Sequence, residues 1–92
     1  MKHARDAALD ALEPLIRELR AIEGMIEKKR GVFYRKSQAF LHFHEDPAGF
    51  FADVRSGLAG ASDADGWQRL PVNNARERKA LVAAVRKALG SK

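Results

Sequence analysis

Cysteine is absent from this 92-residue chain. That excludes a disulfide framework, a thiolate metal site and a thiol nucleophile. Long apolar runs are missing too: nothing approaches the ~18 consecutive residues a membrane span needs. No charged-then-apolar leader with a small-residue cleavage site is present. The expectation is a cytoplasmic protein without membrane association. The length points to a single domain, 1–92, that buries roughly 60–65% of its unfolded surface. One modest core fits that size and a roomy internal active site does not. No cofactor signature and no identifiable small-molecule substrate site appear.

Charge is abundant but uneven. The net +5 comes from the C-terminal segment, where Arg76, Arg78, Lys79, Arg86, Lys87 and Lys92 face only Glu77 as a counter-charge. Such a basic helix attracts polyanions through counterion release, and is equally an ordinary solvated helix face.

The apolar residues Leu9, Leu12, Leu15, Ile16, Leu19, Ile22, Met25 and Ile26 recur at spacings of three and four, which predicts an amphipathic helix over 4–29. Gly31 reads as its C′ residue. Pro14 lacks the N–H for the Asp10 carbonyl, so it either kinks this helix or divides it into two. The Leu12/Leu15/Leu19/Ile22/Ile26 stripe also suits a helical dimer seam, although two heptads are short for one.

Beyond Gly31 the period changes to two, predicting strands at about 31–36, 39–45, 50–55 and 67–72. Asp46-Pro47-Ala48-Gly49 carries β-turn residues, and also the residues that open a helix. The alternation of Phe50, Ala52 and Val54 with Phe51, Asp53 and Arg55 favours the strand. A hairpin closed there opposes His44 to Phe51, His42 to Asp53 and Leu41 to Val54. A second turn near Lys36-Ser37 then sorts the sheet into two faces. Val32, Tyr34, Ala39, Leu41, Phe43, Phe50, Ala52, Val54, Leu70 and Val72 form the core face. The outer face collects Phe33, Arg35, Phe40, His42, His44, Phe51, Asp53, Arg55, Trp67 and Arg69.

Residues 56–66 read as a small-residue loop; its Asp63-Ala64-Asp65-Gly66 echoes only part of a calcium loop. Pro71 marks an edge strand. Asn74 with Glu77 forms a capping-box pattern that opens a helix over 75–89, ended by Gly90. The expected fold is therefore α+β: a long N-terminal helix, an antiparallel meander of three to four strands and a C-terminal helix, with both helices packed on one sheet face.

The outer face carries the functional expectations. Aromatics interleaved with arginines suit a self-associating, noncatalytic interaction domain that forms a homodimer through this face or the first helix. The alternative is a nucleic-acid-binding module using Arg35, Arg55, Arg69 and the basic C-terminal helix, or else a face covered by the chain's own helices. His42, His44 and Asp53 supply donors that a zinc or iron site could use, but the set is at least one ligand short of a strong signature. A His42–Asp53 cross-strand hydrogen bond accounts for the same residues without any metal.

The block Phe33-Tyr34-Arg35-Lys36-Ser37, with Ala39-Phe40-Leu41-His42-Phe43-His44-Glu45-Asp46-Pro47-Ala48-Gly49 and Phe51-Ala52-Asp53-Val54-Arg55 after it, resembles a small bacterial family of proteins with no assigned activity. The likeness covers most of the chain. It implies that 31–55 is one structural unit and implies nothing about chemistry.

Overall fold

Pro14 decides how the chain begins. In the structure, a computed structural model that describes residues 2–55 and 66–90, the long helix expected over 4–29 is replaced by two short ones. After strand β1 (Lys2–His3) come α1 (Asp6–Ala11) and α2 (Glu13–Arg20). The chain leaves helical geometry at Leu12, φ −94° and ψ 1°, with Pro14 in the first turn of α2. There its missing N–H is harmless, whereas in mid-helix it would leave the Asp10 carbonyl without a donor. Gly24, at φ +107°, ends the helical region, and Ile26–Lys29 is strand β2 rather than helix. The spacing of Ile22, Met25 and Ile26 therefore runs across a helix–strand boundary.

The remaining elements are β3 (Val32–Arg35), β4 (Gln38–Asp46), β5 (Gly49–Arg55), β6 (Trp67–Pro71) and α3 (Ala75–Ala88). Strands β2 to β6 form an antiparallel meander in sequence order, and β1 pairs with β4. The β4–β5 hairpin has the expected register, with Leu41 opposite Val54, His42 opposite Asp53 and His44 opposite Phe51. Its two-residue loop is held by the Ala48 N–H, which donates to Asp46 Oδ1 at 2.7 Å. Asn74 caps α3 by accepting from the Glu77 N–H at 2.9 Å.

One register slip overturns part of the expected face assignment. At the β3–β4 turn Arg35 opposes Gln38 and Tyr34 opposes Ala39, but Phe33 then opposes Leu41 rather than Phe40. Phe40 is the extra residue of a β-bulge. Because the side-chain period is two, a one-residue slip exchanges the faces of everything beyond it. Phe33 and Phe40, expected outside, are core residues only 1% and 3% exposed. Arg35 also leaves the outer face: its Nη1 donates to the Ala88 carbonyl at the end of α3, at 3.0 Å. Val32 now lies opposite His42, on the outer side with Tyr34.

The core forms between the inner sheet face and the helices. Leu12, Leu15, Ile16, Leu19 and Ile22 meet Phe33, Phe40, Leu41, Phe43, Ala52, Val54 and Val72, with Leu81 and Val85 from α3. The stripe proposed as a dimer seam is thus enclosed in the chain's own core. Of its members only Ile26 stays exposed, at 67%. No helix among the described residues is long and apolar enough to cross a membrane.

Candidate functional site

From Leu41 onward β4 alternates strictly. Leu41 and Phe43 enter the core, and His42 and His44 face away from the helices. Strand β3 pairs with only the first part of β4, and β1 occupies the edge left over, with Lys2 opposite Glu45 and His3 opposite His44. The Ala4 N–H closes this short pairing by donating to the Phe43 carbonyl at 3.0 Å. Opposed residues share a face, so His3 lands beside the two histidines of β4.

The three imidazoles form one cluster. Ring centroids lie 4.9 Å apart for His3 and His44, 5.3 Å for His3 and His42, and 4.6 Å for His42 and His44. One nitrogen from each ring lies within 4.8 Å of the others. Trp67 borders the group, 4.8 Å from His42 between centroids, and carries the Arg55 guanidinium over its ring, 4.7 Å from the centroid. His3 is exposed, His42 partly buried and His44 buried.

Asp53 supports this cluster from β5. Its Oδ2 lies 3.0 Å from His44 Nε2, while Arg69 on β6 grips both oxygens, Nε to Oδ1 at 2.7 Å and Nη2 to Oδ2 at 2.9 Å. Burial works against the ionised carboxyl, but the Arg69 hydrogen bonds and the neighbouring histidines hold its pKa below the ordinary aspartate value. Burial pushes the His42 imidazole down to about 4, and His44 beside it adds to the effect. His42 is therefore neutral at pH 7, the form in which imidazole binds metals. Its Nδ1 is enclosed with no hydrogen-bond partner among the described residues.

Of the ten residues expected on the outer face, the structure gathers His42, His44, Phe51, Asp53, Arg55, Trp67 and Arg69 there. Phe33, Arg35 and Phe40 are elsewhere. The anticipated His42–Asp53 hydrogen bond is replaced by the diagonal His44–Asp53 contact. His3 is the member of the cluster that the sequence pattern does not mark. A two-residue strand has no periodicity to read, and its pairing with β4 is decided only in three dimensions.

These changes bear on both earlier functional expectations. With Phe33 and Phe40 withdrawn, the outer face is polar-aromatic rather than apolar. The arginines meant for phosphates do not share one open surface: Arg69 grips Asp53, Arg35 turns one N–H to a helix end and Arg55 lies over Trp67. Helix α3 packs on the inner side through Leu81 and Val85, so its basic residues and the outer face lie on opposite sides of the sheet. No family model, curated protein or solved structure matches the chain.

Proposed function

We propose that this small α+β domain binds a divalent transition metal on the outer face of its sheet, with His3, His42 and His44 as ligands. The observation that carries the reading is the convergence of three imidazole nitrogens within 4.8 Å of one another. It supplies the ligand that the His42/His44 pair lacked. Zinc–imidazole bonds of about 2.0–2.1 Å place tetrahedral ligand nitrogens roughly 3.3–3.4 Å apart. The rings reach that spacing by side-chain rotation, since His3 is exposed and sits on a short strand. All-imidazole sites suit zinc, copper, nickel and iron rather than magnesium or calcium.

Two further features support the reading. Burial keeps the His42 ring neutral, so one of its two nitrogens offers a lone pair, and its enclosed Nδ1 has no competing hydrogen-bond partner among the described residues. A carboxylate against a ligating histidine orients the ring and raises its basicity, the part that Asp53 plays for His44. Three protein ligands leave a coordination position for water or an exchangeable ligand. In a cysteine-free chain we assign this activity to the cytoplasm.

Calorimetric titration of the chelator-treated protein with zinc tests the proposal. One equivalent should bind saturably, and His42→Ala and His44→Ala should each abolish that isotherm while circular dichroism stays unchanged. Zinc binding retained in the His42→Ala/His44→Ala double variant would overturn it.

A further inference from the structure

At the end of the sheet opposite the histidines' strand β1, the β3–β4 turn meets the last residue of β5 around a cavity of about 80 Å³. It is lined by Arg35, Gln38, Ala39, Phe40 and Arg55. The bulge at Phe40 creates this place, because it carries Arg35 away from the outer face and opens the ladder between Phe33 and Tyr34.

The electrostatics of the cavity are unbalanced. Two arginines, cationic side chains with rigid donor forks, line one small space, and no carboxylate is among its described lining residues. Arg35 places Nη1 on the Ala88 carbonyl, which accounts for one of its five N–H groups. Arg55 lies over Trp67, and its Nε is enclosed without an acceptor among the described residues. A buried donor without an acceptor is costly, and like charges at short range repel. Both features are relieved by one negatively charged acceptor. The volume well exceeds the about 10–15 Å³ that a single water needs. Guanidinium forks match the oxygens of carboxylates and phosphates in pairs, and the Gln38 amide adds a neutral donor.

We propose that this cavity is a binding site for a small oxyanion group, a phosphate or a carboxylate, held by Arg55 and Arg35 with Gln38. The site is separate from the histidine cluster and does not rest on metal binding. Trp67 gives it a reporter: it is the chain's single tryptophan, and Arg55 must adjust over its ring to grip an anion.

The test uses the full chain, freed of metal, and follows Trp67 emission during titration with sodium phosphate, with sodium acetate, and with sodium chloride at matched ionic strength. A saturable change with phosphate or acetate that chloride does not reproduce is expected. Phosphate alone identifies a tetrahedral dianion as the ligand, and acetate alone a carboxylate. Arg55→Gln should weaken binding by at least about tenfold, through loss of a charge-assisted pair of bonds. Arg35→Gln should weaken it as well. If either glutamine variant loses its fold, Arg→Lys at the same position keeps the charge and removes the fork, and weaker binding is again expected. An identical response to chloride, or unchanged affinity in the Arg55 variants, would overturn the proposal.

Discussion

His44 and Asp53 meet diagonally across two strands. Asp53 is opposite His42 in the β4–β5 register, yet its Oδ2 lies 3.0 Å from His44 Nε2. The carboxylate thus leans along the strand toward the buried histidine and leaves His42 without a hydrogen-bonding partner at Nδ1. Arg69, directly opposite Asp53 on β6, anchors the other side of the carboxylate. Diagonal pairs in antiparallel sheets are within reach of long side chains. Here the diagonal links β6, β5 and β4 into one polar chain that ends at the proposed metal ligands.

That chain makes Asp53 a positioning residue. Asp53→Asn should lower zinc affinity by about 10–100-fold, the usual effect of losing a carboxylate behind a ligating histidine. Calorimetry of the variant beside His44→Ala separates weakened binding from lost binding. Affinity equal to that of the original chain would remove Asp53 from the site.

Acid should destabilise the metal-free fold in a defined window. His42 protonates at about 4 in the fold against 6.5 ordinarily, so above pH 6.5 neither folded nor unfolded chain carries this proton. As pH falls from 6.5 toward 4 the unfolded chain gains a proton that the fold declines, and stability drops. The full displacement converts to about 3 kcal/mol at 1.36 kcal/mol per pKa unit, and solvent screening of the half-buried ring reduces it to about 1–2 kcal/mol. Asp53, depressed below 3.8, acts in the same direction: its contribution is complete above that value and is lost as pH falls further. Urea unfolding at pH 7, 5 and 4 measures the loss, and His42→Gln should flatten the part between pH 6.5 and 4.

Removing Arg69 tests the same network without touching a histidine. Asp53 is only 7% exposed, so Arg69→Ala strips a bidentate partner from an enclosed carboxylate. Breaking such a pair destabilises more than an exposed ion pair does. With the arginine side chain 45% exposed, about 1–2 kcal/mol is the expected loss. Chemical denaturation at pH 7 checks it; a change within a few tenths of a kcal/mol would mean that the carboxylate is well satisfied without Arg69.

Two turns should respond oppositely to substitution. Gly31 sits at φ +77°, and a Cβ there would come 2.8 Å from a methyl carbon of Leu9 and 3.4 Å from the Phe43 ring. Gly31→Ala should therefore destabilise by about 2 kcal/mol or more, combining backbone strain with overpacking. Lys36 and Ser37 both have positive φ, 50° and 68°, in a two-residue hairpin loop that favours Asn-Gly. Replacing the pair by Asn-Gly should stabilise by about 0.5–1 kcal/mol, read as a rise in melting temperature.

Much of the sheet was legible because its turns carry their own chemistry. Asp46-Pro47-Ala48-Gly49 set the β4–β5 register, and the alternation from Leu41 to Val54 then separated His42 and His44 from the core. Asn74 and Glu77 marked the start of α3 in the same local way. The bulge at Phe40 left no such mark, since Phe33 and Phe40 are equally apolar whichever face they take. Only packing against the helices selects the slipped register. Met25 and Ile26 were misread because a helical spacing of three and four happened to continue past Gly24. His3 lay beyond sequence reasoning for a different reason: its role depends on a strand contact more than forty positions away in the chain.

The shortness of β1 has one more consequence. Two paired residues, with the Ala4 N–H donating to the Phe43 carbonyl beside them, make a short ladder of the kind that opens locally at low cost. If a metal draws His3 onto His42 and His44, ion capture and the seating of this strand become one thermodynamic event. The Ala4 amide then acts as a gauge of occupancy, exchanging its hydrogen with solvent quickly without the ion and slowly with it.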